Sequence, residues 1–254
     1  MQINSAHLNS KFYVQIWSGS WEGGFSEADM SLTYHMEQLR VHFMNFVNYV
    51  YIVMDKKTGD IAIVDPSWDL LKIESYLHRL NGNLKAILLT HSHLDHVNLV
   101  NPLLEKYSPH VFMSIQEIDF YHFRCKNLHP IKDRDLIKLG DTEIISLMTP
   151  GHTVGSVCYH LSNHLFTGDT VFIEGCGFCD PNGGDPKDLY NSIQKIKRKV
   201  DSSVQIYPAH SYGKAPGFPL SHLMDENIYF QFTSMETFVN FRMRPNQIGL
   251  FNFK

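Results

Sequence analysis

The stretch Leu88–Val97, LLTHSHLDHV, places His91, His93, Asp95 and His96 within six positions. With 15 histidines and 16 aspartates among 254 residues, the pattern H-x-H-x-D-H arises by chance roughly three times in a thousand such chains. Imidazole nitrogens and a carboxylate crowded in this way can share a transition metal; a solvated turn would not require them. Three later stretches offer partners: His152 in Thr149-Pro150-Gly151-His152, Asp169 in Thr167-Gly168-Asp169-Thr170, and His210 after Pro208-Ala209. Five imidazoles and two carboxylates suit zinc, with iron or manganese as competitors, and donor type alone does not choose among them.

Those groups need elements that bring them together. Residues 47–54 are rich in β-branched and aromatic side chains, Lys56–Asp60 reads as a turn, and 61–64 returns as a strand ending at Asp65. Asp65 is a candidate support for the ligands. Leu70, Ile73, Leu77 and Leu80 predict a helix over 69–81, stopped by Gly82. Leu84–Leu89, apolar but for Lys85, predicts a strand that runs into the histidine loop. Pro102–Tyr107 predicts a short helix, 110–113 a strand, 114–122 a helix, and 143–149 and 155–161 two strands. Asp185 as N-cap with Pro186 after it opens a helix whose buried side is Leu189, Ile193, Ile196 and Val200. Val204–Tyr207 predicts a strand ending just before His210. Leu165–Thr167 leads into Gly168-Asp169, so every candidate ligand group falls where a predicted strand ends, as catalytic groups of α/β proteins commonly do. The pattern predicts one α/β domain over 1–254, with an N-terminal extension at 1–31 (a strand near Phe12–Ile16) and a helical tail over 217–254.

Composition sets the class. Apolar residues are 43% and charged residues 19%, enough for a substantial core, and the net charge of −4 gives no nucleic-acid footprint. The start of the chain lacks a secretory pattern and no apolar run reaches bilayer length, so a cytoplasmic protein is expected, with neither nucleic acid nor membrane as partner. Cys176 and Cys179 lack the second pair that a structural zinc site needs, and Cys125 and Cys158 read as buried small hydrophobes.

Taken in order, H-x-H-x-D-H, Pro-Gly-His-Thr, Gly-Asp-Thr and a late histidine resemble the metallo-β-lactamase superfamily over about 60–215. The resemblance implies a four-layer αβ/βα sandwich with two Zn2+ at its rim, Fe or Mn being possible. By that resemblance His91, His93 and His152 hold the first metal, Asp95, His96 and His210 the second, and Asp169 bridges. Asp169 as bridge speaks against a true β-lactamase. The run from Gly168 to Gly177 resembles the glyoxalase II branch, which hydrolyses glutathione thioesters, and its mononuclear iron persulfide dioxygenase cousins. Both place Lys or Arg after Gly-Cys-Gly to hold glutathione, where this chain has Phe178.

The longer stretch GCGFCDPNGGDPKDLYNSI, with PAHSYGKAPG and ENIYFQF behind it, is similar to the stand-alone zinc hydrolases of trans-acyltransferase polyketide biosynthesis. That implies a thioesterase acting on acyl groups carried by a phosphopantetheine thiol, free or on an acyl carrier protein. Phe178 would form an apolar wall for that substrate, and Asp95 would act catalytically by orienting a metal-bridging hydroxide. Lys195, Lys197, Arg198 and Lys199 would meet an acidic carrier, or else form a solvated helix face.

Overall fold

β-branching produces the expected hairpin of β2 (Phe46–Asp55) and β3 (Asp60–Val64), and a strand absent from the prediction, β1 (Tyr34–Phe43), precedes them, each antiparallel to the next. The computed structural model describes residues 32–44, 46–247 and 253. The extension at 1–31, with its predicted strand, lies outside them. Helix α1 (Leu70–Leu80) is capped by Asp69, whose carboxylate accepts from the Lys72 amide. It ends one residue before the predicted stop, because Asn81 takes the left-handed conformation at φ 50°. Gly82 is needed for a different reason: a Cβ there would meet Ile61 Cδ1 at 2.6 Å and the Gly59 carbonyl at 2.7 Å.

Next come β4 (Asn83–Leu88), α2 (Leu94–Val97), α3 (Val100–Tyr107), β5 (His110–Ser114), α4 (Ile115–Tyr121) and β6 (Leu128–Ile131). Then follow β7 (Leu136–Leu139), β8 (Thr142–Met148), β9 (Val157–His160) and β10 (His164–Gly168). Helix α5 (Pro186–Lys199) starts as predicted, with Asp185 accepting from the Lys187 and Asp188 amides. The chain continues through β11 (Gln205–Pro208), β12 (Phe218–Pro219), α6 (Leu220–Glu226), α7 (Ile228–Gln231) and α8 (Met235–Arg242). The predicted helical tail is therefore three short helices, broken where Asn227 caps α7 and Ser234 caps α8.

Two six-stranded sheets form, in the orders β1-β2-β3-β4-β5-β6 and β12-β11-β10-β9-β8-β7. Their facing sides share one core, in which Tyr51, Val53 and Leu88 meet Ile144, Tyr159 and Phe166. On the outer side of the first sheet, Ile73, Leu77, Leu103 and Ile118 of the helices cover Ile52, Ile63 and Ile87. Leu189, Ile193, Phe230 and Phe238 do the same for the second sheet over Leu165 and Ile206. The expected four-layer αβ/βα sandwich is the result. Among the described residues no helix is long and apolar enough to cross a membrane.

Burial makes one strand residue sensitive to acid. Desolvation lowers the His160 pKa from 6.5 to about 4. Below pH 6.5 the unfolded chain binds a proton that the folded chain refuses, so stability is lost as pH falls from 6.5 toward 4. His160 should account for about 2 kcal/mol of that loss between pH 7 and pH 5. Urea midpoints at the two pH values check this. His160→Gln should have a shallower pH dependence than wild type, and equal slopes would refute the assignment.

Candidate metal centre

All four ligand-bearing segments leave the same rim of the sandwich. His91 follows β4, His152 follows β8, Asp169 follows β10 and His210 follows β11, while Asp95 and His96 sit on the single turn of α2. Close backbone approach demands glycine around the ligand loops, Gly151 and Gly177 among them. Gly151, at φ +134°, would put a Cβ 2.2 Å from the Leu189 amide. Gly177 would put one 2.1 Å from the Asp169 carbonyl and 3.0 Å from His152 Nδ1.

In the first cluster three nitrogens point at one another. His91 Nε2 lies 3.1 Å from His93 Nδ1, and His152 Nε2 lies 3.3 Å from the former and 3.0 Å from the latter. Nitrogens about 2.0–2.1 Å from a zinc ion in a tetrahedron stand roughly 3.3 Å apart, so the spacing fits a shared metal.

The other ring nitrogens are already engaged. His152 Nδ1 donates to the Phe178 carbonyl at 2.6 Å, His210 Nδ1 to the Val47 carbonyl at 2.6 Å, and His96 Nδ1 to Asp65 Oδ2 at 2.9 Å. His93 Nε2 donates to Asp180 Oδ2 at 2.6 Å. Thr90 Oγ1 gives its single proton to Asp65 Oδ2 at 2.6 Å, so His91 Nδ1, 3.0 Å away, must donate to it. Each of the five imidazoles therefore turns its remaining ring nitrogen inward, the arrangement that metal-binding histidines need.

The second cluster mixes charge. Asp95 Oδ2 lies 3.3 Å from His210 Nε2 and 3.6 Å from His96 Nε2. Asp169 faces both clusters: Oδ1 is 3.6 Å from His96 Nε2 and 3.5 Å from His210 Nε2, while Oδ2 is 3.7 Å from His152 Nε2. His96 Nε2 and Asp169 Oδ1 are buried without a hydrogen-bond partner, an expense that a bound cation would remove.

The electrostatics agree. Burial keeps His91 neutral well below its usual range and lowers His152 to about 4, as ligands require. Burial also opposes charge on His96, but the carboxylates of Asp95, Asp169 and Asp65 outweigh it and raise that group to about 10. Burial works against an ionised Asp95, yet His96 and His210 hold its carboxyl well below the ordinary range. A pocket that pulls a proton onto His96 so strongly favours a cation there. The His/Asp clusters suit metal binding, and the cysteines take no part in them: Cys176 is buried and Cys179 half-buried, both with thiol pKa values pushed up by burial. Cys158 is buried as expected, whereas Cys125 is only half-buried.

Several supporting residues gave no sequence signal of this role. Glu117, fully buried, accepts from the Ser92 amide and hydroxyl at 2.8 and 2.7 Å, and from Thr153 Oγ1 and the Gly155 amide at 2.9 and 3.0 Å. It ties the His91–His93 loop to the His152 loop. Asn48 donates to Asp95, and Asp180 holds His93. Phe178 stands beside the first cluster, its ring 5.0 Å from that of His152 and parallel to that of His93 at 6.1 Å. The basic run is partly committed to the fold: Lys195 binds Asp133 at 2.6 Å and the Met148 carbonyl, and Lys197 binds the Phe230 carbonyl, leaving Arg198 and Lys199 exposed.

Known proteins match this arrangement. A probable polyketide biosynthesis zinc-dependent hydrolase of Bacillus subtilis is 48% identical over 225 residues, covering 89% of this chain and 100% of its own. A hydroxyacylglutathione hydrolase of Buchnera aphidicola is 36% identical over 170 residues, 67% of this chain and 65% of its own. The crystal structure of ETHE1 from Myxococcus xanthus shares the fold, with a TM-score of 0.75 at 24% identity over 83% of this chain and 92% of that one. Residues 44–210 match the metallo-beta-lactamase superfamily, which spans the hairpin before Asp65 through the last candidate ligand. With His and Asp groups from four strand ends converging on one rim, this chain belongs to the metallo-beta-lactamase superfamily.

Proposed function

We propose that the chain is a zinc-dependent hydrolase of polyketide biosynthesis that cleaves acyl thioesters carried on a phosphopantetheine thiol. The observation that carries this reading is the pair of adjoining clusters with inward ring nitrogens, in a chain 48% identical to a polyketide zinc hydrolase along that relative's whole length. His91, His93 and His152 would hold one zinc, Asp95, His96 and His210 a second, and Asp169 would bridge them. Bound zinc supplies a lowered water pKa, about 7 instead of 15.7, and polarises a carbonyl oxygen. Asp95, its side chain one-fifth exposed at the rim, would accept a hydrogen bond from the attacking water and so aim it. The leaving thiol, with a pKa near 8.5, departs as thiolate without a dedicated acid. Exposed Arg198 and Lys199 are the residues of the basic run that remain for an acidic carrier protein.

The test is hydrolysis of one acyl group on pantetheine, on carrier protein and on glutathione, side by side. Preference for the glutathione thioester would overturn the reading in favour of a glyoxalase II activity. Phe178 makes a sharper case. Its backbone carbonyl positions His152 whatever the side chain is, so Phe178→Arg keeps that bond and adds a cation. The variant should raise the glutathione-to-pantetheine ratio of kcat/KM by about tenfold, the worth of one charge-assisted hydrogen bond. An unchanged ratio would mean that the ring only packs in its loop.

A further inference from the structure

Asp95 has a carboxylate and two histidines to face, and something must fix which way it turns. Asn48, 1% exposed on β2, donates through Nδ2 to the Asp95 carbonyl at 2.9 Å and to Asp95 Oδ2 at 3.1 Å. That oxygen is the one that faces His210 and His96. An amide can flip, and flipped it would turn its own oxygen on the carboxylate. Trp68 prevents this: its indole Nε1, a donor only, gives a 2.7 Å hydrogen bond to Asn48 Oδ1.

Trp68 is held in turn. It adopts φ +61°, a conformation that is unfavourable for a bulky side chain and survives only where its surroundings impose it. Phe43 stacks on the indole at 5.0 Å and 17°, Phe46 leans on it at 6.2 Å, and Asn98 Oδ1 accepts from the Trp68 amide at 3.0 Å.

We propose that Trp68 and Asn48 form a relay that positions Asp95 for the second metal, with the indole as the lock on the amide. Both are positioning residues, and the inference rests on the two-metal reading above. Metal held by Asp95 polarises the Asn48 amide and, through it, the indole N–H. Trp68 therefore reports on the second cluster.

Zinc titration of metal-stripped protein against a competing chromophoric chelator tests the relay without any turnover. In Trp68→Phe, which keeps an aromatic ring for Phe43, and in Asn48→Ala, the second zinc equivalent should bind about 10–100-fold more weakly while the first binds as in wild type. Acyl-pantetheine kcat should fall with KM unchanged, because substrate contacts are not touched. With Trp17 and Trp21 replaced by Phe, Trp68 emission should shift with the second equivalent, and Asn48→Ala should abolish that shift. Circular dichroism selects the variants that fold, and Trp68→Phe remains decisive if Asn48→Ala does not. A second equivalent bound within twofold of wild type by a folded variant overturns the relay alone. Wild type that takes up no second equivalent overturns the two-metal reading and the relay with it.

Discussion

Asp169→Ala is expected to leave purified protein with almost no bound zinc and to lower kcat/KM by about a thousandfold or more, some 4 kcal/mol of transition-state stabilisation. Asp169 is the one carboxylate that faces both clusters, with Oδ1 toward His96 and His210 and Oδ2 toward His152. It is 7% exposed at the end of β10, so water cannot substitute freely for it. Without it, metals in both clusters would share no negative charge between them, and their repulsion would oppose double occupancy. Asp169→Asn separates charge from shape: it fills the same space and should lose metal almost as completely. Elemental analysis of both variants checks the expectation. Retention of close to two metals by the alanine variant, with more than a tenth of the activity, would show that Asp169 is no bridge.

Legibility in the sequence followed the range of the interaction. Four candidate ligands share one short motif, and the rest follow Gly151, Gly168 or Pro208-Ala209 at strand ends, so their type and spacing were visible. Glu117 was not, although Ser114-x-x-Glu117 has capping-box spacing. The first half of that device forms, with Ser114 Oγ accepting from the Glu117 amide. The carboxylate, however, crosses to Ser92, Thr153 and Gly155, and no local pattern announces partners 25 to 38 positions away. Asn48 and Asp180 hid for the same reason.

In the fold, the missed strands β1, β6, β7 and β12 all lie at sheet edges, and the last three are also short. Pro130 within β6 and Pro219 within β12 suppress a strand signal yet are tolerated at an edge, where an amide need not bond. Central β4, between β3 and β5, was plain from its run of buried Leu84, Ala86, Ile87 and Leu88.

Asp65→Asn should produce a different lesion from Asp169→Ala: one zinc equivalent kept, the other lost. Asp65 is 3% exposed and holds the left-handed conformation at φ 49° right after β3. Its Oδ1 accepts from the Thr90 amide at 2.8 Å, and Oδ2 accepts from Thr90 Oγ1 at 2.6 Å and His96 Nδ1 at 2.9 Å. All three groups donate, and only a carboxylate can accept from all three. Asparagine with its oxygen toward the Thr90 amide turns NH2 on His96 Nδ1, which must then accept. The ring proton moves to Nε2 and points into the second cluster, where a lone pair is required. The flipped amide instead sets NH2 against the Thr90 amide and strands both donors. In a catalytic triad, trapping the wrong imidazole tautomer in this way costs about 10⁴ in turnover. Here the first cluster stays intact, so a loss of about 10²–10³ in kcat/KM is expected, with one zinc per chain after dialysis. Thr90 also loses part of its bonding, and the metal-stripped variant should unfold about 1–3 kcal/mol more easily in urea. Two tightly held zinc ions and kcat/KM within tenfold of wild type would mean that His96 keeps its tautomer without the Asp65 carboxylate.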